Sequence, residues 1–219
     1  MNALKTLLLA FSLLVASQAK AGFITINESA LDGIFSQSSF DNNPIDIRIG
    51  TATELVFPDL LNITTKQQVT KLFNQHIGPF DFVNFYFIDF ISACGNANNN
   101  NFVGCGEFPG NDFVVESSFA AGSNGSELLA HELGHNLGLD HRSGGLMDPN
   151  INNSTLLSST EVSTIRNSRL VQTDGQNFWI NINPVAIVAA ATTQVPEPST
   201  LLLLLLSISF FVRKNRLKN

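Results

Sequence analysis

The chain has 219 residues, 44% of them hydrophobic and only 14% charged, with a formal net charge of −6. That length supports one domain with a good-sized core. Between Gly22 and Gln194 there are 6 Lys+Arg against 17 Asp+Glu, a net −11, which argues against nucleic acid and anionic membrane surfaces as partners of the body.

The first 21 residues, MNALKTLLLAFSLLVASQAKA, carry an early lysine, an apolar run from Leu7 to Ala16, and small residues at Ala19 and Ala21. This is the pattern of a secretory signal peptide cut after Ala21, and it predicts an exported protein. A buried N-terminal helix, the competing reading, explains neither the short run nor the A-x-A ending. Residues 22–44 are polar and mixed, with a turn at DNNP (41–44). IDIRIG (45–50) alternates and places Ile45, Ile47 and Ile49 on one face of a strand. Thr64 and Gln67 match a capping box ahead of KQQVTKLFNQHI (66–77), a helix with Val69, Leu72 and Phe73 inward that Gly78-Pro79 stops. His76, near its end, reads as a surface or capping residue.

FVNFYFIDFI (82–91) reads as a well-buried strand. Cys94 and Cys105 then flank the tract GNANNNNFVG. In an exported protein this reads as a disulfide closing a surface loop, with free thiols, zinc ligands or an inhibitory Cys94 as competing readings. The asparagine run itself reads as solvated loop without a function. NDFVVESSFA (111–120) reads as a shorter strand, followed by the break AGSNGS. Ser158 and Glu161 form a second capping box, starting a helix over 159–171. Residues 173–194 read as a spacer. Interspersed strands and helices predict an α/β or α+β body.

HELGHNLGLDH (131–141) holds three of the four histidines. Ser126 is the expected N-cap of a helix beginning at Glu127. His131 and His135 are four residues apart, so one helical face offers both imidazoles to a single metal ion. Gly138 permits the positive φ that lets the chain leave the helix sharply and bring His141 to the same ion. Three neutral nitrogens leave a fourth tetrahedral position for water, which distinguishes a catalytic zinc site from a closed structural one. Zinc lowers the pKa of such a water to about 7, and Glu132, beside the first ligand, is placed to act as its general base. Hydrolysis of a peptide bond uses all of these parts.

The pattern HExxHxxGxxH, followed by Met147 in GGLMDP, resembles the metzincin clan of zinc endopeptidases. The resemblance implies one catalytic Zn2+ on His131, His135 and His141, with Glu132 as base and Met147 as the apolar floor beneath the metal. It implies an α+β, zincin-like fold: a twisted mixed sheet above a cleft, the zinc-binding active-site helix, a Met-turn and a small C-terminal helical lobe containing the helix at 159–171. Pro149 stands where some branches carry a tyrosine, as in matrixins and reprolysins, so no tyrosyl stabiliser is implied. Arg142, directly after the third histidine, matches neither branch. In such enzymes an extended substrate joins the sheet, here expected at the strand 112–117.

VPEPST, the apolar stretch from Leu201 to Val212, and the basic Arg213, Lys214, Arg216 and Lys218 resemble the PEP-CTERM sorting signal of Gram-negative bacteria. The stretch is shorter than the roughly 20 residues of a stable span, and its basic end fits charges kept on the cytoplasmic side. The resemblance implies transient anchoring by 201–212, processing by an exosortase-like enzyme, and residence in the cell envelope, at the surface or in the extracellular matrix. The expected organisation is a signal peptide (1–21), a catalytic domain (22–172), a spacer (173–194) and a sorting tail (195–219).

The expected function is a secreted or cell-surface zinc endopeptidase acting on a protein or peptide substrate. The alternatives are a non-enzymatic envelope or biofilm-matrix protein with a structural zinc site, and amide cleavage in cell-wall peptides. Glu132 separates the first alternative, because a purely structural site needs no carboxylate beside an open coordination position.

Overall fold

A computed structural model describes residues 24–190. The expected signal peptide and sorting tail lie outside the described residues. In chain order the elements are α1 (Glu28–Ile34), β1 (Ile45–Ile49), β2 (Thr53–Val56), β3 (Asn62–Ile63), α2 (Lys66–Phe73), β4 (Phe82–Ile88), β5 (Phe90–Ile91), β6 (Ala93–Cys94), β7 (Ala97–Asn98), β8 (Gly104–Gly106), β9 (Asp112–Glu116), α3 (Ser117–Ala120), α4 (Gly125–Asn136), α5 (Ser159–Arg166), β10 (Gln172–Thr173) and β11 (Phe178–Val188). Among the described residues, no helix is long and apolar enough to cross a membrane.

The architecture is mixed α/β, built on a twisted mixed sheet of order β1-β11-β4-β9-β8, with β2 and β10 also paired to β11. Strands β1, β11, β4 and β9 run parallel, and β8 runs antiparallel to β9. A parallel sheet is stable only when both faces are covered, which is why β4 is almost continuously apolar. Its Val83, Phe85 and Phe87 face a core shared with Leu128, Leu129 and Leu133 of α4 and with Leu31 of α1. Its Tyr86 and Ile88 face a second core with Val69 and Leu72 of α2. The histidine helix is thus pressed against one face of the sheet.

The expected spacer is the largest correction. Residues 178–188 form β11, which lies between β1 and β4 and sends Ile180 and Ile182 into one core and Val185 and Ile187 into the other. Pro184 argues against an interior strand, because proline lacks the ladder donor. The carbonyls of Ile182 and Val188 accept from Gly50 and Phe57, so even-numbered residues of β11 address the side occupied by β1 and β2. Pro184 falls where pairing with β1 has ended at Ile182 and pairing with β2 has yet to begin at Val185. Its missing N–H therefore breaks no ladder.

Smaller differences have local causes. The segment expected to be polar and mixed contains α1, capped by the Asn27 side chain, with Leu31 and Ile34 buried; two turns are too short for a clear periodicity. The first capping box forms one residue later, between Thr65 and Gln68, while Ser158 and Glu161 pair as expected. Helices α2 and α5 stop at Phe73 and Arg166, short of the expected 77 and 171. Strand 82–91 breaks at Asp89, and 111–120 ends at Glu116 before turning helical. Asn124, not Ser126, precedes α4, with no side-chain cap.

His76, expected as a surface or capping residue, is half-buried and tied to two strands. Its Nδ1 lies 3.0 Å from Asp112 Oδ1, and Asn84 Nδ2 donates to that same oxygen at 2.9 Å. Burial raises the Asp112 carboxyl, while Asn84 and His76 oppose the shift.

Candidate active site

Helix α4 carries His131, Glu132 and His135, the first two buried. His131 Nδ1 lies 2.8 Å from the Leu146 carbonyl oxygen, and His135 Nδ1 lies 2.9 Å from that of Leu139. A carbonyl only accepts, so each Nδ1 carries the hydrogen and each Nε2 presents a lone pair. Gly138, at φ 92°, turns the chain out of the helix, and His141 comes back over it. His141 Nε2 is 3.3 Å from His131 Nε2 and 3.1 Å from His135 Nε2. Tetrahedral coordination at a metal–nitrogen distance of 2.0–2.1 Å separates ligand nitrogens by about 3.3 Å. The three donors therefore suit one metal ion.

Their protonation suits it too. Burial holds the His131 imidazole down to about 4, against the Leu146 hydrogen bond. Burial also lowers His135. Near neutral pH both nitrogens are free to ligate without first losing a proton.

Met147 is fully buried, and a Cβ on Gly134 would stand 2.5 Å from its sulfur. The methionine thus packs under the helical turn between the two histidines, where only glycine leaves room. The Arg142 backbone N–H donates to the Met147 carbonyl at 2.9 Å, and its Nε reaches Glu161 Oε1 at 2.6 Å. The residue without a counterpart in the resembled branches ties this turn to α5.

Glu132 points between α4 and β8. A Cβ on Gly104 would stand 2.4 Å from its Oε1, and one on Gly106 3.2 Å from its Oε2. Those two glycines make the space for the carboxylate. Sequence reasoning missed them; the small-residue alternation Gly104-Cys105-Gly106 was the available signal. Burial pushes the Glu132 carboxyl up to about 8, with the Gly106 backbone amide opposing.

These shifts give the metal-free protein a defined pH response. The unfolded Glu132 carboxyl titrates at 4.5 and the folded one near 8, so the folded state binds the extra proton between them. Stability from this group is complete below about pH 4.5 and is lost as pH rises through 8. His131 has the opposite sign: its stability is present above 6.5 and is lost as pH falls through about 4. Denaturant unfolding of the metal-free protein will therefore peak between these limbs. Glu132→Gln will remove the decline on the alkaline side, a gain on the order of a few kcal/mol at pH 8. Equal pH profiles for the two metal-free proteins would contradict this.

The histidines and Glu132 open into a cavity of about 440 Å³ with apolar walls from Phe102, Val103, Phe108, Leu128 and Ile151. Its charged lining consists of acids, Glu132 and Asp140, beside the histidines. Glu127, also missed in the sequence, holds the Ile151 wall: its carboxylate accepts from the Asn152 and Asn153 backbone at 2.8 and 3.0 Å.

Cys94 and Cys105 form a disulfide, with sulfurs 2.02 Å apart. This removes the free-thiol, zinc-ligand and inhibitory readings. The asparagine run is exposed, as expected, and Ala97, Asn101, Phe102 and Val103 of the same tract also line the cavity. Strand β9 is paired on both sides, by β4 and β8, and cannot accept a further strand. The free edge beside the cavity belongs to β8.

No protein-family model matches the chain, and no curated protein matches it. Fold and site define a mixed α/β protein whose three-histidine cluster could hold one metal ion.

Proposed function

We propose that this chain is an exported zinc endopeptidase of the metzincin type, with a zincin-like fold. The observation that carries the reading is the convergence of three Nε2 atoms beside one buried carboxylate at the base of an open cavity. Zinc on His131, His135 and His141 would supply Lewis acidity and an acidified water. Glu132 takes the proton from the attacking water and delivers it to the leaving amine nitrogen. The free edge of β8 pairs with an extended peptide, whose side chains meet the apolar walls. The fold's remaining parts serve placement: Met147 supports the helix from below, and the carbonyls of Leu146 and Leu139 orient the His131 and His135 imidazoles. The proposed setting is the cell envelope, surface or matrix, reached by the signal peptide, with transient anchoring by 201–212 and processing by an exosortase-like enzyme.

The test is metal analysis with proteolysis of an unfolded protein, comparing wild type and Glu132→Ala. One zinc in both proteins, and cleavage reduced about 10²–10⁴-fold in the variant, is expected. Zinc in both with cleavage by neither favours a structural metal site. No zinc in either sinks the reading.

A further inference from the structure

We infer that the Cys94–Cys105 disulfide is a redox gate on this site, positioning the strand against which both Glu132 and the substrate lie; the inference rests on the endopeptidase reading. Strand β8 is three residues long, and Cys105 is its middle residue, paired with Val114 of β9. The residues on either side are the two glycines that pack on Glu132. Glycines give a strand little side-chain packing of its own, so β8 is held by its pairing with β9, by its close approach to α4 and by the covalent tie through Cys105 to Cys94 of β6. Both cysteines line the cavity, with Cys105 4% exposed and Cys94 half-buried. A reductant entering the site can therefore reach the bond at Cys94.

The disulfide spans the tract that contributes Ala97, Asn101, Phe102 and Val103 to the cavity. That tract is also held by the two-residue pairing of β6 with β7, by Lys66 Nζ donating to Asn96 Oδ1, by Phe102 N–H to the Asn99 carbonyl and by Glu116 N–H to the Val103 carbonyl. Opening the bond frees one wall of the cavity and loosens the substrate edge. It leaves the His131 and His135 imidazoles oriented, because their Nδ1 hydrogen bonds run to the Leu146 and Leu139 carbonyls, which lie outside the freed tract.

The chemistry is a thiol–disulfide exchange. Two Cys thiols and one disulfide-donating oxidant of the export compartment give the Cys94–Cys105 bond and two oxidant thiols; the cysteines lose two electrons and two protons, and the oxidant gains them. Before export the chain holds both as thiols in a reducing compartment, with β8 loose and cleavage slow. After export the bond closes and the site is completed.

The experiment treats the full, metal-loaded chain with a trialkylphosphine. The phosphine takes up oxygen from water to become its oxide and leaves two thiols, so no dithiol is present to strip zinc. The expected result is a ten- to hundredfold fall in kcat/KM, with the larger part in KM, while metal content and circular dichroism are unchanged. Reoxidation with a small-molecule disulfide restores activity, and the Cys94→Ser/Cys105→Ser double variant reproduces the reduced kinetics. Unchanged kcat/KM on reduction overturns the gate. So does loss of the circular-dichroism signal together with activity, which makes the bond a general staple. Inactivity of the oxidised protein instead overturns the endopeptidase reading itself.

Discussion

Truncating the chain after residue 172 will abolish folding, although the three-histidine cluster, Met147 and α5 are all retained. The deletion removes β11, whose Ile180, Ile182, Val185, Ile187 and Val188 are essentially fully buried. Burying such a side chain stabilises by about 1.5–3 kcal/mol. Five of them together amount to on the order of 10 kcal/mol, comparable to the whole stability of a domain. The loss is also topological. Strand β11 is the neighbour of both β1 and β4, so its removal leaves two exposed parallel edges and separates α1 and β1 from the sheet that carries the site. Circular dichroism and proteolytic resistance of residues 22–172 against 22–190 provide the check. A shorter protein with native helix content and a cooperative melt would show that β11 is dispensable.

Gly104→Val will lower activity about a hundredfold while leaving metal binding and the fold in place. The new Cβ would stand 2.4 Å from Glu132 Oε1 and 2.8 Å from its carboxyl carbon. Those atoms end a flexible side chain, so the carboxylate moves rather than the backbone. A displacement of about 1 Å at a proton-transferring group costs on the order of 10²-fold in rate. The ligand set is spared because Gly104 makes its close approach to Glu132 and not to a histidine. A kinetic comparison with zinc stoichiometry measured in parallel is decisive: a fall in kcat at full metal content is expected. Metal loss accompanying the fall would place Gly104 in support of the ligands instead.

The two variants mark the boundary between what could be read along the chain and what could not. His131 and His135 lie one helical turn apart, Gly138 ends that helix at φ 92°, and His141 follows within three residues. Each of these relations is set by the backbone period or by one residue's conformational freedom, so an eleven-residue string suffices to bring three imidazoles together. The disulfide was legible for a similar reason, since the sequence holds only two cysteines, 11 positions apart, and neither has another thiol to pair with. The second capping box and the alternation of β1 likewise depend on nearest neighbours.

Strand β11 and the surroundings of Glu132 follow a different logic. Nothing within residues 178–188 says that Asn181 will sit opposite Phe82 or that Pro184 will meet a gap between two strands. Nor does the string around Gly104 say that it will lie on the Glu132 carboxylate. The same distinction explains His76, whose Asp112 and Asn84 partners come from two neighbouring strands, and the expected substrate strand, which is interior because β8 pairs outside it. Local chemistry along the chain determined the three-histidine cluster, the carboxylate beside it and the turn beneath. Which strand is central, which edge is free and how much room the base has were decided only by tertiary structure, because those are properties of segments brought together by pairing and burial, not of the segments themselves.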